Sequence, residues 1–227
     1  MTYHVVVPAA GSGSRFGSDL PKQYLRLGAK PILQHALERV SAGFPQAIIH
    51  VVLAPDDRWF QSLGNMPDVN VLRCGGATRA QSVRSALRLL GSTQADDWVA
   101  VHDAVRPCLD AASALRLQHE LADHRVGGLL AIPVSDTLKR VDQTLHVSAT
   151  QSREHLWRAQ TPQMFRYSIL TAALDHDGAE GATDEAEAVE QLGFMPRIVM
   201  GSVRNVKITF AEDLELAAAI LATREPS

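Results

Sequence analysis

Short, nearly continuous apolar runs that alternate with stretches of helical period constrain the fold of this chain more than any other feature. The runs are His4–Val7, Ala47–Leu53, Val69–Arg73, Trp98–His102 and Gly128–Val134. Such runs suit strands covered on both faces, as in a parallel sheet. Between them Ile32, Leu33, Ala36, Leu37 and Val40 recur at helical spacing, as do Val83, Leu87 and Leu90. Asp110 supplies an N-cap for a third helix, predicted to bury Leu115 and Ala122. Parallel strands need such crossovers, and right-handed ones dominate. The prediction is an α/β fold, a Rossmann-like, mostly parallel sheet with helices on both faces.

The pattern changes after Val134. Asp136–Thr150 has no helical period, and Leu145, Val147 and Ala149 alternate with polar residues around a turn at Asp142-Gln143. This predicts a β-hairpin that projects as an arm at about residues 136–152. A lone hairpin leaves its apolar residues wet, so pairing with a second chain is expected. Helices then follow from about Tyr167 and after Asp184, with strands at Arg197–Met200 and Asn205–Thr209. Thr209-Phe-Ala-Glu212 reads as the capping box of a last helix, and Asp184 with Glu187 as another. With no repeat or linker, residues 1–227 are expected to form one domain carrying the arm.

Composition narrows the partners. Apolar residues make up 46% and charged residues 21%, enough for a sizeable core. A formal net charge of -3 argues against nucleic acid as a partner. Two cysteines, Cys74 and Cys108, are too few for a disulfide framework and form no CxxC zinc pair. The apolar start is too short for a signal peptide, and no run approaches a membrane span. A cytoplasmic protein without a membrane partner is expected. Only four of the 22 basic residues are lysines: Lys22, Lys30, Lys139 and Lys207.

Pro8-Ala9-Ala10-Gly11-Ser-Gly13-Ser-Arg15-Phe-Gly17 follows the first strand directly. Glycines there let backbone N–H groups approach a phosphate. No GxxxxGK[ST] string exists, and the third glycine of a GxGxxG fingerprint falls one place late. The loop carries cations instead: Arg15 within it and Lys22 in Pro21-Lys-Gln-Tyr24 just after. Arginine grips phosphate oxygens bidentately and lysine acts as a compact charge. A tight turn with solvated charges is the competing reading.

Three more constellations stand out. Gly75-Gly76-Ala77-Thr78-Arg79 opens a helix in which Ser82 lies one turn in, within reach of a polar base edge. His102-Asp103-Ala-Val-Arg106-Pro107 ends an apolar strand, where open parallel sheets collect ligands. Asp103 there suits a ribose or a Mg²⁺ ion, against an alternative in which it merely pairs with Arg106. His102 reads as a structural histidine. Further on come Asp136-Thr-Leu-Lys139, Arg153, Thr161-Pro-Gln163, Thr183-Asp-Glu185 and Asn205-Val-Lys207-Ile-Thr209. Arg153 and Lys207 lie near predicted strands and suit a second phosphate.

Together these strings, in order along the chain, resemble the 2-C-methyl-D-erythritol 4-phosphate cytidylyltransferases of the non-mevalonate isoprenoid pathway. Ala86 and Ala77 depart from residues common in that family. The resemblance implies an enzyme that joins CTP to methylerythritol 4-phosphate, giving a CDP-linked polyol and pyrophosphate with Mg²⁺ or another divalent cation. It implies homodimers whose arms lend residues to the partner's site. By match, Arg15 and Lys22 stabilise the transition state at the triphosphate, beside the glycine turn of Gly11 and Gly13. Ala9, Ala10, Gly76 and Ser82 hold the cytosine base, with Gly75 also in the substrate site. Asp103 contacts ribose or a metal held mainly by nucleotide phosphates, and Arg106 lies beside it in the substrate site. Arg153 and Thr161, from the other subunit, and Lys207 position the polyol phosphate. Two other readings keep the glycine turn: a ribitol 5-phosphate cytidylyltransferase and a non-catalytic nucleotide-binding module.

Overall fold

The structure is a computed structural model that describes residues 1–11, 20–64, 66–91 and 93–223. In chain order its elements are β1 (Tyr3–Pro8), β2 (Arg26–Leu27), β3 (Lys30–Pro31), α1 (Ile32–Gly43), β4 (Ile48–Val52) and β5 (Asn70–Leu72). There follow α2 (Arg79–Leu89), β6 (Trp98–Val101), α3 (Ala111–Leu121), β7 (Gly127–Pro133), β8 (Leu138–Val141) and β9 (Val147–Gln151). The last are β10 (Trp157–Arg166), α4 (Tyr167–Asp175), α5 (Glu185–Gln191), β11 (Arg197–Met200) and α6 (Glu212–Ala222).

Among the described residues seven strands form one sheet in the order β11-β7-β10-β6-β1-β4-β5. The pairings β6–β1–β4–β5 and β7–β11 are parallel, and β10 alone runs against both its neighbours. Alternation along a strand sends side chains to opposite faces. Val5 and Val7 of β1 pack with Leu33, Leu37 and Val40 of α1 and with Ala114, Leu117 and Leu121 of α3. Val6 faces the other way, toward Val83 and Leu87 of α2, Leu170 of α4 and Val189 of α5. The α/β architecture with helices on both faces is thus as the apolar runs predict.

Four local expectations change. First, β10 is a strand that polar residues and Pro162 hide in the sequence. Its register shifts between Ala159 and Gln163, and a proline is tolerated at such an irregularity. Second, α3 is capped by Asp110, whose carboxylate accepts from Ser113 N at 2.8 Å, but Leu115 and Ala122 are exposed. The buried stripe runs through Ala114, Leu117 and Leu121, one position round the helix. Third, Asn205–Thr209 is not a strand. It is a connecting segment pinned by Ile208 N to Val105 O at 2.9 Å and Asn205 Nδ2 to Thr161 O at 2.8 Å. Fourth, no capping box closes α6: the N-cap is Ala211, and Asp213 in the first turn, not Glu212, accepts from Thr209 N at 2.7 Å and Phe210 N at 2.8 Å.

The hairpin forms as predicted, with β8 and β9 pairing apart from the main sheet. Asp142 holds its turn by accepting from Thr144 N at 2.8 Å and His146 N at 3.0 Å. Leu145 and Val147 on it are 81% and 62% exposed.

Three buried histidines make the fold acid-sensitive. His4 Nδ1 lies 3.1 Å from His50 Nε2 across β1 and β4, so the two rings share one proton position and cannot both be charged at low cost. Burial pushes His4 down, and burial followed by the His4 charge pushes His50 down to about 4. His102, fully buried, is also lowered to about 4, first by burial. Neutral in the fold and protonated when unfolded, such groups give stability that is complete above pH 6.5 and lost as pH falls toward 4. Stability at pH 5 is expected to be lower than at pH 7.5 by about 2 kcal/mol for each of His50 and His102. Urea unfolding at the two pH values checks this, and His50→Phe should reduce the difference by about half while His102 keeps its share.

Candidate active site

The carboxyl ends of parallel strands β1, β5 and β6 lie along one edge of the sheet, and the chain leaves each through one of the loops singled out above. Between these loops is a cavity of about 570 Å³. Pro8, Ala9, Ala10 and Gly11 line it from the first loop, Gly76–Arg79 and Ser82 from the second, and Asp103, Ala104 and Val105 from the third. Lys22 and Gln23 close one side, and Lys207, from the segment before α6, reaches in from another.

Local bonds explain how each loop keeps its place. Gln23 donates from Nε2 to Ala9 O at 2.7 Å and Gly11 O at 3.0 Å, stapling the Lys22 turn to the end of β1. Tyr24, one residue on, donates its hydroxyl to buried Asp57 at 2.6 Å. Asp57 in turn accepts from Trp59 N and Phe60 N, so Lys22 stands on an anchored 3₁₀ turn. Gly75 is glycine for close packing: a Cβ there would come within 2.2 Å of Ala10 Cβ and 2.8 Å of Leu53 O. Gly76 N donates to Ser82 Oγ at 3.0 Å, while that hydroxyl donates to Thr78 O at 2.9 Å. Ser82 therefore has one acceptor lone pair left for a ligand.

Asp103 is the electrostatic centre. Its Oδ1 takes Arg79 Nε at 3.0 Å, and its Oδ2 takes Lys207 Nζ at 3.0 Å and Arg106 Nε at 3.4 Å. Burial alone would raise this carboxyl, but the charges of Arg79, Lys207 and Arg106 outweigh it and hold the group far below the carboxylate range. Arg79 also meets fully buried Glu185 at 2.5 Å; burial would lower its guanidinium, yet Glu185 and then Asp103 raise it. Arg106 is fastened separately, donating from Nη1 to Asn205 O at 2.8 Å. The simple Asp103–Arg106 pair considered from sequence exists, as the weakest of three contacts.

Three cations around one carboxylate leave it a poor ligand for a further cation. Both lone pairs of Oδ2 are taken, and no group of three or more His, Cys, Asp or Glu side chains suited to a metal occurs among the described residues. Oδ1, with Arg79 alone against it, keeps one lone pair, so Asp103 could give a Mg²⁺ ion at most one oxygen. The cavity wall can instead receive anions.

The sequence profile of the 2-C-methyl-D-erythritol 4-phosphate cytidylyltransferase family (IspD) matches residues 3–223. The chain belongs to this family. It is 53% identical over 221 residues to the cytidylyltransferase of Chromobacterium violaceum, covering 97% of this chain and 98% of that one. Identity to the Dechloromonas aromatica relative is 50% over 229 residues, covering 98% and 99%. A crystal structure of 4-diphosphocytidyl-2C-methyl-D-erythritol synthase superposes with TM-score 0.85 at 37% identity, covering 97% and 98%. The Francisella tularensis cytidylyltransferase superposes at 0.83 with 36% identity, covering 97% and 100%.

Of the residues that the cytidylyltransferase resemblance singles out, the cavity gathers Ala9, Ala10, Gly11, Lys22, Gly76, Ser82, Asp103 and Lys207. Gly75 and Arg106 stand behind its wall. Thr161 sits beside Asp103 of its own chain, where antiparallel pairing of β10 with β6 carries it. Its Oγ accepts from Asp103 N at 3.0 Å and contacts His102 Nδ1 at 3.1 Å, so the hydroxyl helps to hold that loop in place. His102 then donates from Nε2 to Arg106 O at 3.1 Å, a structural role as predicted. Arg153 lies beyond β9, exposed, donating to Ser135 O. Gly13 and Arg15 lie outside the described residues. Sequence reasoning assigned no part to Gln23, Arg79 or Glu185, although each stood inside a quoted motif; a polar residue fully buried beside a glycine turn has no periodic signal.

Proposed function

We propose that this chain is a cytidylyltransferase joining CTP and 2-C-methyl-D-erythritol 4-phosphate in isoprenoid precursor synthesis. The convergence of Lys22 and Lys207, two of only four lysines, on one glycine-walled cavity carries this reading, together with family membership. A phosphomonoester oxygen attacks the α-phosphorus of CTP; one P–O bond forms, and the bond to pyrophosphate breaks in line. The nucleophile is already an anion, so the neutral, enclosed His102 is not needed as a base. The barrier lies in bringing anions together and in charge growing on pyrophosphate, which positioned cations relieve.

In this reading Lys22, with Arg15, stabilises the triphosphate in the transition state. Ala9, Ala10, Gly11, Gly13, Gly75, Gly76 and Ser82 seat the nucleotide. Asp103, with Arg106 behind it, faces the ribose, and Lys207 receives the polyol phosphate. A divalent cation, Mg²⁺ or another, would come with the CTP phosphates and would supply Lewis-acid charge neutralisation there. The protein is a single-domain, cytoplasmic homodimer. The exposed apolar residues of the hairpin support that assembly, and Arg153 on it serves the partner's site. No helix among the described residues is long and apolar enough to cross a membrane.

Pyrophosphate release across the four nucleoside triphosphates and several polyol phosphates tests the activity. Turnover is expected with CTP and methylerythritol 4-phosphate. Preference for ribitol 5-phosphate overturns the substrate, and release with no pair leaves a nucleotide-binding module. A second expectation concerns the arm. Arg153→Ala and Lys22→Ala subunits, each poor alone, should regain up to about one quarter of wild-type activity in mixed dimers, where half of the dimers combine both variants and one of their two sites is intact. No recovery in confirmed heterodimers removes the trans role of Arg153.

A further inference from the structure

Arg79 is a cation in an adverse place. It is the first residue of α2, where the backbone presents its positive end, and that first turn holds no acidic residue. Its side chain bridges two carboxylates from distant parts of the chain, Asp103 through Nε and Glu185 through Nη1. The attachment to Glu185 is a single bond: Arg79 Nη2 and Glu185 Oε2 are both buried without a hydrogen-bond partner among the described residues. Glu185 is only 1% exposed and does not line the cavity.

The two cations that reach Asp103 from the cavity side differ in freedom. Arg79 is committed to two carboxylates, whereas the Lys207 side chain is 45% exposed and its ammonium is paired with Asp103. A phosphate entering the cavity can draw Lys207 away only if buried Asp103 keeps other compensation, since an unpaired buried carboxylate is costly. Arg106, at 3.4 Å, is a weak substitute for Arg79 at 3.0 Å.

We infer that Glu185 is a positioning residue that tethers Arg79 against Asp103 and so releases Lys207 to the phosphate of the second substrate. This deepens the proposed cytidylyl transfer and rests on it. Without the tether, Arg79 turns from the helix terminus toward water, Asp103 relies on Lys207, and the incoming phosphate must compete with Asp103 for that ammonium. The consequence is a specific loss of affinity for the polyol phosphate, with the CTP pocket intact.

The test is a kinetic cycle in the full-length enzyme. Glu185→Ala should raise KM for the polyol phosphate about tenfold and leave KM for CTP within about twofold. Glu185→Gln keeps the shape and a neutral hydrogen bond, so it should raise the same KM by about threefold, and it serves if the alanine variant folds poorly. In a Lys207→Ala background neither change should add further, because the ammonium being released is gone. An unchanged KM, a lowered KM or equal rises for both substrates overturns the inference, as does a full effect persisting without Lys207. A lowered KM would mean that Glu185 only subtracts charge from the cavity. Wild-type turnover is the separate check on the reaction. Were it absent, calorimetric affinity for inorganic phosphate across the same six proteins would decide the role of Glu185.

Discussion

Lys22→Ala is expected to lower turnover by about 10²–10³-fold, the loss typical when one preorganised transition-state donor is removed. The ammonium is brought to the cavity by its neighbours, with Gln23 bonded to Ala9 O and Gly11 O and Tyr24 to Asp57. Those anchors survive the substitution, so the cavity should keep its shape while losing one of the charges that line it. Thermal unfolding within a few degrees of wild type, alongside the lost kcat, is the expected pair of results. A fall in melting temperature that accounts for the lost activity would assign Lys22 to the fold. Arginine at this position should restore only part of the rate, because a planar fork does not reproduce a compact point charge.

Asp103→Ala should be the most damaging change to stability in the site. It leaves Arg79, Arg106 and Lys207 converging with only Glu185 to answer them. Breaking a buried ion cluster by removing one partner costs about 3–5 kcal/mol, or roughly 10 °C in melting temperature for a chain of this size. The acid dependence has a definite sign. The folded carboxyl is held far below its ordinary value, so its contribution is complete above about pH 4, where the unfolded carboxyl ionises, and fades as pH falls further. The stability gap between wild type and variant should be widest near pH 7, smaller at pH 3 by about 1 kcal/mol, and smaller still in stronger acid. Equal melting temperatures at pH 7 would contradict the charge arrangement described here.

Much of this molecule is legible in its apolar spacing. The runs at Val5–Val7, Ile49–Leu53 and Trp98–Val101 are buried on both faces, and that burial is what produces an unbroken apolar string. The glycine turns follow those strands in sequence, so their gathering at one edge comes with the parallel order. The strand β10 is hidden in the sequence because half of it is Arg158, Gln160, Thr161, Pro162 and Gln163, of which Gln160, Thr161 and Gln163 hold neighbouring loops rather than a uniform core. Lys207 was mistaken for part of a strand for a related reason: Asn205, Lys207 and Thr209 alternate with apolar residues, yet Asn205 and Ile208 are tied to loops instead of a ladder. The tether from Glu185 to Arg79 joins residues from opposite halves of the chain. Neither composition nor period reports such a pairing.

Gly75 presses so closely on Ala10 and on Leu53 O that even a methyl group would part them, and its own N–H donates to that same oxygen at 2.9 Å. The first two loops of the cavity are therefore a single seam and not independent walls. Any attempt to redesign this pocket for a larger base by substituting one loop would open the joint with the other. Useful variants should have to change both loops in the same step, which makes the nucleotide pocket hard to reach by single substitutions.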